Sequence, residues 1–117
     1  MSNWIVLRET IAARCQGYCE LCGNALGNAF VLHHRKLKSR GGKDTVDNLI
    51  ALHHTCHNTG NNGVHFNVKK STLSGHIVPT YATPSEYPLH LPNGSIVRLT
   101  EEGTYIYLKG TDKYGNT

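Results

Sequence analysis

The chain has 117 residues and a formal net charge of +4, with four cysteines and eight histidines. That length allows one domain with a modest core, so part of its stability has to come from elsewhere. No run approaches the roughly 18 apolar residues of a membrane span, and the N-terminus lacks the basic and apolar regions of a secretory leader, which predicts a reduced cytoplasm and no membrane partner.

The distribution of charge says more than its total. Residues 1–76 carry nine Lys and Arg against four Asp and Glu, whereas residues 77–117 carry three against four. A basic half that also holds the cysteines and most of the histidines points to a polyanion such as nucleic acid; an ordinary solvated surface is the alternative on charge alone. Cys15, Cys19 and Cys22 crowd within eight positions and Cys56 sits among histidines. A disulfide framework would be spread more evenly, so the spacing favours a metal site.

In chain order, Ser2 or Asn3 can cap a helix over residues 4–14, with Trp4, Leu7, Ile11 and Cys15 along one packed face and Arg8, Glu9 and Arg14 elsewhere on the cylinder. Gly17 ends it. Cys19-Glu-Leu-Cys22-Gly follows, and two cysteines two residues apart in a tight turn can aim both sulfurs at one ion, as in a zinc knuckle. Cys15 stands outside that spacing and reads as a small core residue. Phe30 to His34 should be a short strand. The next nine residues, Arg35 to Lys43, hold five basic side chains and no acid, with a tight turn at Gly41-Gly42.

Leu49 to Leu52 reads as a second strand running into a short helix near His54, which the small polar residues from Asn58 to Gly63 interrupt. Asn67 can cap another short helix through Leu73, with Gly75 at its end. Pro79, Pro84, Pro88 and Pro92 then punctuate an extended segment, and Ser95–Thr100 and Thr104–Leu108, joined by Glu101-Glu102-Gly103, read as a β-hairpin. The expected organisation is a first unit over 1–76, an extension with the hairpin over 77–108 packed on the same domain, and a flexible polar tail over 109–117. Nothing in residues 77–117 resembles a catalytic constellation.

The ordered set Cys19-x-x-Cys22, His33-His34, Gly41-Gly42, Asn48-Leu49 and Leu52-His-His-Thr-Cys56-His57 resembles the HNH nuclease family over about residues 15–65. The C-terminal segment is also similar to HNH proteins found in phages of actinobacteria. The resemblance implies an α+β fold: a small ββα-metal core with an N-terminal helix, a structural zinc site and a C-terminal hairpin. It further implies a metal-dependent endonuclease that hydrolyses DNA, most simply double-stranded, inside a host cytoplasm if phage-encoded, with phage packaging proteins as further candidate partners.

On that resemblance His34 is the general base, a role that suits imidazole at neutral pH. Asn48 would fix it by bridging backbone groups of the loop, and His33 and His57 would hold the catalytic ion, with His65 as a third ligand. The catalytic ion would be Mg2+ or another divalent ion such as Mn2+, Ni2+ or Zn2+. Adjacent strand residues point to opposite faces, so a bulge or a strand end must bring His33 and His34 to one site. A structural Zn2+ would sit on Cys19, Cys22, His53 and Cys56. His54 could substitute for His53, but helical spacing sets His53 and Cys56 on one side and His54 about 100° away. Arg35, Lys36, Lys38, Arg40 and Lys43 become candidate phosphate contacts. The rival readings are a non-catalytic zinc module that binds DNA or a packaging protein, and a nuclease directed at RNA.

Overall fold

The computed structural model describes residues 3–58, 63–65 and 67–110. Its first element, α1 (Trp4–Arg14), starts where Asn3 Oδ1 accepts from the amides of Ile5 and Val6 at 3.1 and 3.3 Å. These bonds satisfy two of the amides that a helix start leaves without partners. Leu7, Ile11 and Cys15 face inward as their spacing predicts, but Trp4, at the end of the stripe, stays 44% exposed. Arg14 departs from expectation in the other direction. It follows Ile11 by three residues and Leu7 by seven, which is the buried stripe itself, and it is buried there.

A buried guanidinium requires a partner, and Glu20 supplies it. Arg14 Nε and Nη2 donate to the two Glu20 oxygens at 3.1 and 2.8 Å, while Nη1 and Nη2 also reach the carbonyls of Val46 and Leu49. Glu20 Oε1 accepts in addition from the Ala51 amide, and Tyr105 donates its hydroxyl to Oε2. One ion pair thus joins α1, the cysteine turn and two sheets.

β1 (Val31–His34) and β2 (Leu49–Leu52) form an antiparallel pair in which Val31 faces Leu52 and His34 faces Leu49. All four residues of β2 are buried, since one side meets α1 and the other the rest of the core. The loop between them contains a short 3-10 turn at Lys38–Arg40. The loop closes only because position 42 is glycine: a Cβ there would lie 1.7 Å from the Lys36 carbonyl oxygen. α2 (His54–Asn58) and α3 (Val68–Ser74) follow. Residues 59–62, in the small polar insertion, lie outside the described residues, as do Ser2 and residues 111–117 of the expected tail.

The second sheet has three strands, β3 (Leu89–His90), β4 (Ile96–Leu99) and β5 (Tyr105–Lys109), in that order and all antiparallel. The expected hairpin is β4–β5; β3 is an addition. A two-residue strand carries no legible periodicity, and prolines are tolerated where such a strand lies at the sheet's edge. Leu89, Val97 and Leu99 join Leu7, Ile11, Leu26 and Leu49–Leu52 in one apolar cluster.

Arg35 also corrects an expectation. Read as a phosphate contact, it is instead fully buried. Its Nε donates to the Gly75 carbonyl at 2.8 Å, Nη1 to the carbonyls of Asp47 and Pro84 at 3.4 and 2.9 Å, and Nη2 to that of Tyr87 at 2.6 Å. A guanidinium has five donors in a fixed fork, and here carbonyls of the following segment take the place of phosphates. Arg35 therefore fastens residues 75–87 to the first hairpin.

Candidate functional site

Two groups of donor side chains meet around the hairpin and α2. In the first, one ligand atom from each of Cys19, Cys22, His53 and Cys56 lies within 4.8 Å of the others. The cysteine turn is closed by the Gly23 amide donating to the Cys19 carbonyl at 2.9 Å, and the amides of Leu21 and Cys22 donate to Cys19 Sγ at 3.4 and 3.5 Å. His53 lies between β2 and α2. Its Nε2 donates to the Ala25 carbonyl at 2.7 Å, which turns Nδ1 toward the sulfurs, 3.3 Å from Cys22 Sγ and 3.8 Å from Cys56 Sγ. A nitrogen and a sulfur on one tetrahedral zinc stand about 3.6 Å apart, so the donor set fits that ion. His54 is exposed and belongs to neither group.

An ion on these groups would have to displace protons. Burial raises the Cys19 thiol, but amide donors from Cys22, His53 and Leu21 reverse this and bring its pKa below the ordinary value. Burial and the charge of Cys19 push Cys56 up to about 12. The bond to Ala25 raises His53. Three crowded thiolates form together only when a cation offsets their repulsion.

The second group is His33, His57 and His65, whose ring nitrogens lie within 4.8 Å of one another. The His57 and His65 Nε2 atoms are 3.1 Å apart, close to the roughly 3.3 Å between two nitrogens on one tetrahedral zinc. His33 Nε2 donates to the His76 carbonyl at 2.8 Å, so its Nδ1 is the nitrogen left for an ion. A carbonyl on the far nitrogen is the usual support of a metal-binding imidazole. Burial, with the charges of His57 and His65 adding, pushes His33 down to about 3. Burial and His65 lower His57 as well. Both shifts favour the neutral imidazole that a ligand must be.

His34 stands next to this triad, not in it. The β1–β2 register runs without a shift, so no bulge reorients it; it is the last residue of β1 and is still paired with Leu49. Its charge is near enough to lower the His57 pKa. His34 Nε2 pairs with Asp44 Oδ1 at 2.6 Å, and the Trp4 ring lies 6.2 Å away and nearly parallel. The hydrogen bond from His34 holds the Asp44 carboxyl below its usual range. An ionised carboxylate only accepts, so Nε2 carries a proton, and Nδ1 is the nitrogen whose lone pair the neutral ring offers.

Asn48, buried at the start of β2, makes three bonds across the loop. Oδ1 accepts from the Lys36 amide at 2.8 Å, and Nδ2 donates to the carbonyls of Lys36 and Lys43 at 3.1 and 3.0 Å. Among the basic residues, Lys38, Arg40 and Lys43 are exposed, whereas Lys36 is half-buried with Nζ donating to the Ala82 carbonyl at 3.1 Å. A separate cleft of about 470 Å3 runs past Tyr18, Pro92 and Tyr107. The buried polar groups lining it, Arg14, Glu20 and Tyr105, bond one another and are not aimed at a ligand.

Sequence reasoning missed Asp44, the nearest acid after a run of bases, whose position in the loop was the only available signal. It also missed His76 and Trp4. His76 acts partly through its backbone carbonyl, which no residue type announces. Trp4 is an apolar residue at the end of a core stripe, and its exposure beside His34 is set by tertiary packing.

Residues 19–63 match the model of a family described as HNH endonuclease. The matched segment contains the cysteine turn, both strands of the first hairpin, α2 and every proposed ligand except His65. The match supports the HNH family for this segment and suggests a metal-dependent nuclease. Comparison with curated proteins and with solved structures gives no match. Among the described residues no helix is long and apolar enough to cross a membrane.

Proposed function

We propose that the chain is an HNH endonuclease that hydrolyses DNA phosphodiester bonds, with β1, β2 and α2 as its ββα-metal core. The observation that carries this reading is the histidine triad beside a strand-end histidine whose far nitrogen is already tied to a carboxylate. In the proposed mechanism His34 Nδ1 takes the proton of the attacking water while Asp44 holds Nε2–H and so keeps that lone pair available. His33, His57 and His65 would hold a divalent ion, and three imidazoles suit Mn2+, Ni2+ or Zn2+ better than Mg2+, which prefers oxygen ligands. Such an ion would supply positive charge against the scissile phosphate and the leaving 3′ oxygen. Asn48 keeps the loop closed. Lys38, Arg40 and Lys43 offer charge to neighbouring phosphates, which gives affinity without sequence information.

The proposed products carry 5′ phosphate and 3′ hydroxyl ends. The site on Cys19, Cys22, His53 and Cys56 holds structural zinc in this reading. A phage origin, with double-stranded DNA as substrate in the host cytoplasm, belongs to the same proposal and rests on resemblance alone.

The test is supercoiled plasmid incubated with purified protein, then with EDTA, then with Mg2+ or Mn2+ restored. Scission should stop with EDTA and return with the ion, while zinc on the thiolate site resists brief chelation. Plasmid binding without scission in any divalent ion would instead support a zinc-stabilised DNA-binding module.

A further inference from the structure

His76 is 3% exposed and bonded on three sides. Its ring Nε2 lies 2.7 Å from the Glu20 carbonyl, its ring Nδ1 lies 2.7 Å from Ser74 Oγ, and its own carbonyl accepts from His33 Nε2 at 2.8 Å. A carbonyl only accepts, so His76 Nε2 is protonated, and Nδ1 pairs with the Ser74 hydroxyl, whose oxygen also lies 3.1 Å from the Ser71 carbonyl. Glu20 stands between Cys19 and Cys22, and His33 belongs to the histidine triad.

The backbone on either side of His76 is held as well. Arg35 Nε donates to the Gly75 carbonyl, and the Val78 amide donates to the Arg35 carbonyl at 2.8 Å. Gly75 has φ +83°, and a Cβ there would lie 1.9 Å from the Pro88 carbonyl oxygen, so this turn admits only glycine.

We infer that His76 is a positioning residue that couples the two proposed metal sites: its ring fixes its backbone to the cysteine turn, and its carbonyl then fixes the tautomer and orientation of His33. The inference rests on reading the triad as an ion site. It needs no change in protonation, only the two hydrogen bonds. Removing the ring cuts the tie to the cysteine turn and leaves the carbonyl held only through its neighbours in the chain, and a small displacement there turns His33 Nδ1 away from the point shared with His57 and His65.

The experiment titrates the zinc-loaded full chain with Mn2+ alone and reads free ion by electron paramagnetic resonance. Mn2+ is the weakest first-row competitor for a thiolate site and leaves zinc in place. His76→Leu keeps the apolar volume and loses the bond to Glu20; its Mn2+ affinity should fall about tenfold to a hundredfold, with zinc content and circular dichroism unchanged. His76→Gln places an amide donor near the position of Nε2 and should remain within about threefold of the parent. A folded His76→Leu protein that binds Mn2+ like the parent overturns the proposal.

A second measurement applies to the unaltered protein. Long-range 1H–15N spectra should show His33 and His76 both protonated at Nε2, and a His33 protonated at Nδ1 contradicts the coupling whether or not the variant folds. An unaltered, zinc-loaded protein that binds neither Mn2+ nor a further equivalent of Zn2+ overturns the coupling and the ion site together. One that binds Mn2+ but cuts no DNA overturns only the nuclease reading.

Discussion

Arg35 and Lys43 belong to one basic run, yet folding gives them opposite surroundings. Arg35→Ala should strip four carbonyls of their donor and cost about 3 kcal/mol or more in urea unfolding. Lys43→Ala should leave stability within about 0.5 kcal/mol and reduce the salt dependence of DNA binding by roughly one phosphate contact. An unfolding midpoint unchanged in Arg35→Ala would contradict the role assigned to that side chain. The members of the two donor clusters are legible because cysteine and histidine at close spacing state their chemistry before any fold is known. Asp44 and His76 are not, because a hydrogen-bonded support acquires its meaning from geometry that the chain makes only on folding.

The cysteine turn and the first hairpin can each be read from local signals: paired cysteines ending in glycine, and two apolar runs separated by a Gly-Gly turn. What binds them together is harder to read. Glu20 looks like the filler of a Cys-x-x-Cys spacing but is the fully buried partner of Arg14, and it also accepts from Ala51 and Tyr105. Glu20→Gln keeps the shape and removes the charge, leaving a buried guanidinium without its counter-ion. The expected loss is about 3–5 kcal/mol, read by denaturant unfolding of the zinc-loaded protein. A loss below about 1 kcal/mol would show that Arg14 finds compensation elsewhere. The edge strand at Leu89–His90 escapes sequence reading for a different reason: a two-residue strand is too short to show an alternation.

At the scale of the whole molecule, one apolar cluster shared by both sheets means that the titration of buried groups acts on the stability of the entire fold. His33, His57 and His76 all have folded pKa values below the ordinary one, chiefly through burial. The unfolded chain protonates the same rings near 6.5, so unfolding takes up protons and stability should fall as pH drops below about 6.5. For His33, held down to about 3, the loss at pH 5 comes to about 2 kcal/mol. Asp44 also has a lowered pKa, but its contribution disappears only near pH 4 and below, where the unfolded carboxyl begins to titrate. A urea midpoint constant from pH 7 to pH 5 would contradict the buried, neutral histidines. The central claim, that His34 beside the histidine triad is the base of a phosphodiester-cleaving centre, is tested most directly by His34→Ala in the plasmid assay with Mg2+ or Mn2+. That variant should keep its zinc, its circular dichroism and its DNA binding while nicking falls by at least about a hundredfold. Nicking at the parent's rate by a zinc-loaded His34→Ala protein would contradict it.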